Sequence, residues 1–212
     1  MSSIWERPLA PRAKLRAPLY FVRHGQTDWN AERRMQGLSD IPLNEIGRGQ
    51  AAKNGETLKD ALGEAAATAR FFTSPLSRAR ETCEIIRERI GLPNPRYGLD
   101  DRLVEIDLGD WNGKTRDEIE AETPGAWEGQ GAHLRFAQAP SGERPDAVLA
   151  RTKAFVDENL IDLRQPMVVV GHGASGRFLR ALLRGLGERA MMRLESRQDR
   201  VYRVKGRAEK AI

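Results

Sequence analysis

The stretch that decides the fold is Met167-Val168-Val169-Val170-Gly171-His172-Gly173, an apolar run that ends in a histidine between two glycines. Apolar residues without polar alternation indicate a strand buried on both faces, as in a parallel sheet. Residues 174–186 follow with apolar positions at helical spacing, so a buried strand leads into a helix. A similar stretch, Leu19-Tyr20-Phe21-Val22-Arg23-His24-Gly25, lies near the start of the chain.

The rest of the chain repeats this alternation of strands and helices. Further strands are predicted at residues 69–73, 103–108 and 201–204. Further helices are predicted at residues 44–62, 74–91 and 115–122, and from Pro145 onward, with Ser74 as the N-cap of the second and Cys83 in its buried face. The pattern predicts an α/β fold, a three-layer αβα sandwich around a mostly parallel β-sheet.

Length and composition fit one soluble domain. The chain has 212 residues, of which 40% are hydrophobic and 31% charged. We expect a flexible basic arm at residues 1–17, a single domain at 18–206 and a tail at 207–212. No apolar stretch approaches the roughly 18 residues that a membrane span needs, and residues 1–19 lack a signal-peptide pattern. We therefore expect a cytoplasmic protein without a membrane partner.

The charge balance leaves the type of ligand open. The net charge is +5, and 28 of the 35 basic residues are arginines, seven being lysines. Arginine matches phosphate geometry, which suits either a nucleic acid or a small phosphorylated ligand. An arginine-rich surface is also common in proteins from GC-rich genomes. The single cysteine excludes an intrachain disulfide and a cysteine-rich metal site.

Side chains that suit a phosphate follow three of the predicted strands. Arg23 and His24 follow the first strand, Arg78 lies in the first turn of the helix after the second, and His172 ends the run at 167–170. The carboxyl ends of parallel strands meet at one edge of a sheet, so we expect these four side chains to converge. A phosphate dianion would relieve their mutual repulsion through charge-assisted hydrogen bonds. The helix N-terminus adds positive potential there.

Five ordered blocks carry a resemblance to a known family. They are Phe21-Val22-Arg23-His24-Gly25-Gln26-Thr27-Asp28-Trp29-Asn30 with Arg34, Gln36-Gly37, Asp40, Pro42-Leu43 and Gly47; residues 74–82; residues 105–111; Ser141-Gly142-Glu143; and Gly171-His172-Gly173 with Arg177. Together they resemble the histidine phosphatase superfamily, which includes cofactor-dependent phosphoglycerate mutases. The resemblance covers about residues 19–205.

The resemblance implies a role for each matched residue. His24 would be the nucleophile, with the ring nitrogen that does not attack donating to a backbone carbonyl. Arg23, Arg78 and a protonated His172 would hold the phosphoryl oxygens. Glu105, with a raised pKa, would protonate the leaving group; Asp107 and Asp110 are rival donors. Further matches to the substrate and phosphate pocket are Asn30, Gln36, Gly37, Gly173 and Ala174. No metal or cofactor is implied.

Three functions remain at this point. The first is a phosphomonoester hydrolase that acts on a small phosphorylated metabolite through a phosphohistidine and releases inorganic phosphate. The second is a phosphoglycerate mutase; the short segment after Glu105 and Ala174 in place of the mutases' asparagine favour the phosphatase. The third is a catalytically silent RNA- or protein-binding module, which would not need both histidines, so we expect no nucleic-acid partner.

Specificity is expected to come from residues 112–140 and their surroundings. The candidate side chains are Trp111, Trp127, His133, Arg135 and Phe136, which suit a leaving group with an apolar part. His133 matches no motif and is expected to be an exposed loop residue. Asn112 stands where phosphatase members commonly have a glutamate, which leaves the substrate open. The oligomeric state is also open, with a homodimer as one alternative.

Overall fold

A six-stranded sheet organises the protein. The computed structural model describes residues 14–92, 96–126 and 139–212. The strands in these ranges are β1 (Lys14–Leu15), β2 (Leu19–Arg23), β3 (Arg70–Thr73), β4 (Gly98–Leu99), β5 (Asp162–Leu163), β6 (Met167–Gly171), β7 (Val201–Lys205) and β8 (Ala208–Ala211). The main sheet has the order β4-β3-β6-β2-β7-β8, and β1 pairs with β5 in a small second sheet.

The sheet is mostly parallel. β2 pairs with β6 in parallel from Leu19 opposite Met167 to Arg23 opposite Gly171, and β3 pairs with the other side of β6 in the same direction. β7 is antiparallel to β2, and β8 is antiparallel to β7. The carboxyl ends of β2, β3 and β6 consequently lie at one edge, as the sequence predicts.

Helices cover both faces of the sheet. They are α1 (Asp28–Ala31), α2 (Glu45–Leu62), α3 (Ser77–Ile90), α4 (Arg116–Glu122), α5 (Pro145–Asn159), α6 (Gly173–Arg184) and α7 (Glu188–Met192). Side chains alternate along each strand, so neighbouring residues enter opposite cores. Phe21 of β2 packs with residues of α5 and α6, whereas Val22 packs with residues of α2 and α3. This arrangement is the three-layer sandwich expected from the sequence.

Two predicted elements differ from the structure. α3 begins at Ser77, with Leu76 as its N-cap residue, rather than at Ser74 and Pro75. Residues 103–108 form no strand; a 3-10 turn spans Asp101–Leu103, and the edge strand is the earlier segment Gly98–Leu99. Cys83 is fully buried, as expected, and burial raises its pKa to about 12.

The described part of the predicted arm and the predicted tail both make contacts with the domain. Within the predicted arm, Leu15 and Ala17 are buried, and the Ala17 N–H donates to the Leu163 carbonyl over 2.9 Å. Residues 1–13 lie outside the described ranges. The predicted tail contains β8, whose Glu209 pairs with the fully buried Arg180 of α6 at 2.7 Å. In the described ranges, no helix is long and apolar enough to cross a bilayer.

Candidate active site

The residues that follow β2, β3 and β6 surround a cavity of about 250 Å³. Of the four residues expected to converge, Arg23, His24 and Arg78 line this cavity. His172 is fully buried beside it, with its ring centroid 5.1 Å from that of His24. The sheet topology therefore brings together all four side chains.

His24 is held in one tautomer. Its Nδ1 lies 2.7 Å from the carbonyl oxygen of Gly25, and because that oxygen can only accept, Nδ1 carries the proton. Nε2 therefore keeps a free lone pair. Burial is the main reason why the pKa of His24 is well below its usual value, and the nearby His172, Arg23 and Arg78 lower it further. The ring is thus neutral and able to act as a nucleophile.

Gly25 is required by a close approach of two chain segments. A Cβ at this position would lie 2.3 Å from the carbonyl oxygen of Gly47 in α2. The Gly25 N–H also donates to the Thr82 hydroxyl of α3 over 3.1 Å. The backbone after His24 is therefore fixed by two helices, which fixes the carbonyl that orients the imidazole.

His172 is buried without a hydrogen-bond partner. Neither ring nitrogen has one within the part of the chain that the structure describes. Burial lowers its pKa well below the usual value, and Arg78, Arg23 and Arg151 add to the shift. These effects favour the neutral ring, and a protonated His172 that holds the phosphoryl oxygens stays a prediction. A buried polar group without a partner is costly, so the site favours a ligand that supplies one.

Arg23 and Arg78 are held by backbone carbonyls but do not use all of their hydrogen-bond donors. Arg78 donates to the carbonyls of Ser39 and Gly37 over 2.6 and 2.8 Å, and Arg23 donates to the Ser196 carbonyl over 2.8 Å. The Nε of each is buried and without a partner among the described residues. Burial lowers both pKa values, that of Arg78 to about 10, yet both remain cations at neutral pH.

Glu105 occupies the N-terminus of α6. Its carboxylate accepts from the backbone N–H groups of Gly173, Ala174 and Ser175 over 2.8–3.1 Å, and from that of Ile106 over 3.0 Å. Burial alone would raise its pKa, but these donors and the Arg23 charge outweigh it and lower the pKa. The raised pKa expected from the sequence is therefore wrong for the substrate-free protein, because the donors belong to a distant helix.

An ion pair behind Glu105 holds its segment in place. Arg151 of α5 donates to the carbonyls of Arg102, Val104 and Glu105 over 2.8–3.2 Å. Glu143 pairs with Arg151 at 2.8 Å and lies in the Ser141-Gly142-Glu143 block. The sequence pointed to Glu143 but not to Arg151, whose carbonyl acceptors lie 46 to 49 positions earlier in the chain.

The rival carboxylates are used elsewhere. Asp107 accepts from the Gly109 N–H and the Asn112 side chain, both over 2.9 Å, and neither Asp107 nor Asp110 lines the cavity. Glu105 does line it. The geometry therefore favours Glu105 as the acid.

The remaining predicted pocket residues divide into two groups. Asn30, Gln36, Gly37 and Ala174 line the cavity, whereas Gly173 only reaches Glu105 through its N–H. Other lining residues are Arg34, Met35, Ile106 and Leu108. The last three are apolar, and no polar group in their side chains marked them as pocket residues in the sequence.

The predicted specificity residues are only partly placed. Trp111 is buried in a core with Ile119 and Phe178 rather than beside the substrate, because its ring completes an apolar cluster. Trp127, His133, Arg135 and Phe136 lie outside the described ranges. Among the residues that are described, no group of three or more metal-ligating side chains is found.

Comparison with known proteins finds relatives along most of the chain. A family model described as the histidine phosphatase superfamily (branch 1) matches residues 19–211. The glucosyl-3-phosphoglycerate phosphatase of Mycolicibacterium vanbaalenii is 35% identical over 176 residues, covering 79% of this chain and 74% of that protein. The probable phosphoglycerate mutase GpmB of Cronobacter sakazakii is 36% identical over 190 residues, covering 88% and 83%.

A solved structure extends the agreement to the fold. The mycobacterial glucosyl-3-phosphoglycerate phosphatase in complex with VO3 superposes with a TM-score of 0.71 at 30% identity, covering 92% of this chain and 96% of that one. The α/β sandwich and the phosphatase class expected from the sequence are thereby confirmed. With the matched residues spanning the whole sheet and the cavity at its edge, the chain belongs to branch 1 of the histidine phosphatase superfamily.

Proposed function

We propose that the protein hydrolyses small phosphomonoesters through a phosphohistidine formed on His24. The observation that carries this proposal is the fixed tautomer of His24, which leaves Nε2 unprotonated at a cavity lined by cationic donors. Arg23 and Arg78 each keep an unpaired Nε–H, and both nitrogens of His172 are unpaired within the described residues. A phosphoryl group supplies the acceptors that these groups lack.

In the first step, Nε2 of His24 attacks phosphorus and the bond from phosphorus to the ester oxygen breaks. Arg23 and Arg78 stabilise the charge on the phosphoryl oxygens. The departing alkoxide takes a proton from Glu105. Glu105 must therefore acquire a proton before this step, and the negative charge of the bound phosphate raises its pKa in the complex.

In the second step, water attacks the phosphorus of the phosphohistidine. Glu105, now a carboxylate, accepts a proton from that water, and the bond between phosphorus and Nε2 breaks. Inorganic phosphate leaves and His24 returns to its neutral form. One carboxyl group thus serves as acid and then as base, as microscopic reversibility allows.

The cavity supports a small substrate with both polar and apolar parts. Its volume is about 250 Å³, and Arg34, Met35, Ile106 and Leu108 border it beyond the phosphate-binding end. The relative from Mycolicibacterium vanbaalenii is named for glucosyl-3-phosphoglycerate, and a phosphorylated metabolite of that general kind is our proposed substrate class. We propose a cytoplasmic location and no nucleic-acid partner; a homodimer stays a prediction.

Mutase activity is the second candidate, because the Cronobacter relative is named a probable phosphoglycerate mutase. A mutase must keep water away from the phosphohistidine until a second hydroxyl arrives. Incubation with a phosphoglycerate separates the two functions, since a hydrolase releases inorganic phosphate and a mutase forms the positional isomer.

The proposal is tested by a screen over phosphorylated metabolites with the His24→Ala protein as the blank. We expect phosphate release by the wild type and a loss of about 10³-fold or more in the variant. Rapid-quench labelling should place an acid-labile, base-stable phosphate on His24. Label on a serine, an aspartate or Cys83 would refute the assignment of the nucleophile.

A further inference from the structure

The side-chain amide of Asn30 is held in a single orientation. Asn30 lines the cavity, and its Oδ1 accepts from two donors, the Thr27 backbone N–H over 3.3 Å and Nε2 of Gln198 over 2.8 Å. If the amide were turned over, Nδ2 would face these two donors without an acceptor. The hydrogen-bond network therefore places Oδ1 on the side of Thr27 and Gln198. Nδ2 is then the end of the amide that remains available to a ligand.

The donor from Gln198 is the stronger of the two. The Thr27 contact is long and belongs to the capping box of the four-residue helix α1. Gln198 reaches Asn30 from a turn 168 positions later in the chain. The orientation of Asn30 therefore depends chiefly on a residue outside every block that resembles the family.

Gln198 is itself held on both sides. Its carbonyl accepts from Nδ2 of Asn54, a buried residue of α2, over 2.8 Å. One residue earlier, the Arg197 N–H donates to the Tyr202 hydroxyl over 2.8 Å, and Ser196 supplies the carbonyl that anchors Arg23. The same short segment thus supports two groups at the phosphate-binding end of the cavity.

We propose that Gln198 is a positioning residue that keeps the Nδ2 donors of Asn30 available to the phosphoryl oxygens. This inference rests on the proposed function. An amide turned the other way would present Oδ1 to the phosphate, which exchanges an attraction for a repulsion between two acceptors. Gln198 does not contact the reacting atoms; it acts only through Asn30.

The test compares Gln198→Glu with Gln198→Met. A glutamate at position 198 offers only acceptors, so it favours the orientation of Asn30 in which Nδ2 faces residue 198. Methionine removes the Gln198 donor but favours neither orientation of the Asn30 amide. Vanadate binding, measured by calorimetry, should weaken about 10- to 100-fold in Gln198→Glu and only a few-fold in Gln198→Met. Both variants should retain the wild-type melting temperature to within a few degrees.

The Asn30→Ala background separates orientation from general charge. There, the difference between the two Gln198 variants should shrink to the part that comes from the glutamate charge alone, since no amide remains to be oriented. With Asn30 present, an equal loss of vanadate affinity in the two Gln198 variants would overturn the inference. With Asn30 replaced by alanine, a loss of affinity in Gln198→Glu as large as before would also overturn it. If Gln198→Glu fails to fold, the methionine variant decides, because unchanged vanadate binding there would overturn it. Absence of binding by the wild type would instead refute the proposed function.

Discussion

Removal of the Glu105 charge should tighten the binding of a dianion while it slows catalysis. In the substrate-free protein the carboxylate occupies the N–H groups of Gly173, Ala174 and Ser175 at the start of α6. A phosphate at the same end of the cavity meets this negative charge. Glu105→Gln removes the charge, so anion binding becomes more favourable although the general acid is lost.

The size of the effect follows from the charges around the site. Two unit charges about 4 Å apart interact by about 4 kcal/mol at an effective dielectric constant of about 20. Arg23 and Arg177, whose charges interact with Glu105, offset part of this repulsion. We expect a net gain of about 1.5–3 kcal/mol, which is a 10- to 100-fold increase in affinity.

Calorimetry with sulfate tests this prediction, because the charge of sulfate does not change near neutral pH. In the wild type, binding should tighten as the pH falls, since the pKa of Glu105 is lowered in the free protein and raised by the bound dianion. Glu105→Gln should bind more tightly and lose part of this pH dependence. Asp107→Asn, a carboxylate of the same segment that does not line the cavity, is the matched control. Equal or weaker sulfate binding by Glu105→Gln would refute the reasoning.

Three further predictions concern the acid, its support and the nucleophile loop. Glu105→Gln should slow the hydrolysis of alkyl phosphates by about 10²–10⁴-fold but that of p-nitrophenyl phosphate much less; equal losses in kcat/KM would contradict a role as acid. Glu143→Gln should lower the unfolding free energy by about 1–2 kcal/mol, because Arg151 loses its charge partner in a partly exposed pair but keeps its carbonyl acceptors; chemical denaturation measures this, and no change would contradict it. Gly25→Ala should abolish activity or folding, since its Cβ would lie 2.3 Å from a backbone oxygen, whereas Gly49→Ala, which meets nothing within 4 Å, should be tolerated in the same melting and activity assays.

The sequence predicted the features that depend on neighbouring residues. The apolar runs at β2 and β6 located the strands, and the polar residues directly after them, such as His24 and His172, located the site. The helix predicted at residues 44–62 is α2, which Asn44 caps by accepting from the Gly47 N–H over 2.9 Å. In each case the determining contact lies within a few residues along the chain.

The predictions that failed depend on contacts between distant residues. α3 begins later than predicted because Asp40, rather than Ser74, supplies the acceptor for the Ser77 N–H and hydroxyl, both at 2.7 Å. The lowered pKa of Glu105 has largely the same origin, since three of its four backbone donors lie 68 to 70 positions away. The amino-acid pattern around a residue does not encode such partners.

The place of β2 in the sheet has a consequence for how the protein is made on the ribosome. β2 is synthesised before both of its partners in the main sheet, β6 and β7, which end at Gly171 and Lys205. The nascent chain therefore carries an apolar strand with two open edges until β6 has been made, a state prone to mispairing with other chains. Arg23, at the end of that strand, gains its anchor only when Ser196 is in place. Activity should consequently arise only after Ser196 and β7 have emerged from the ribosome, and not stepwise as the earlier strands appear.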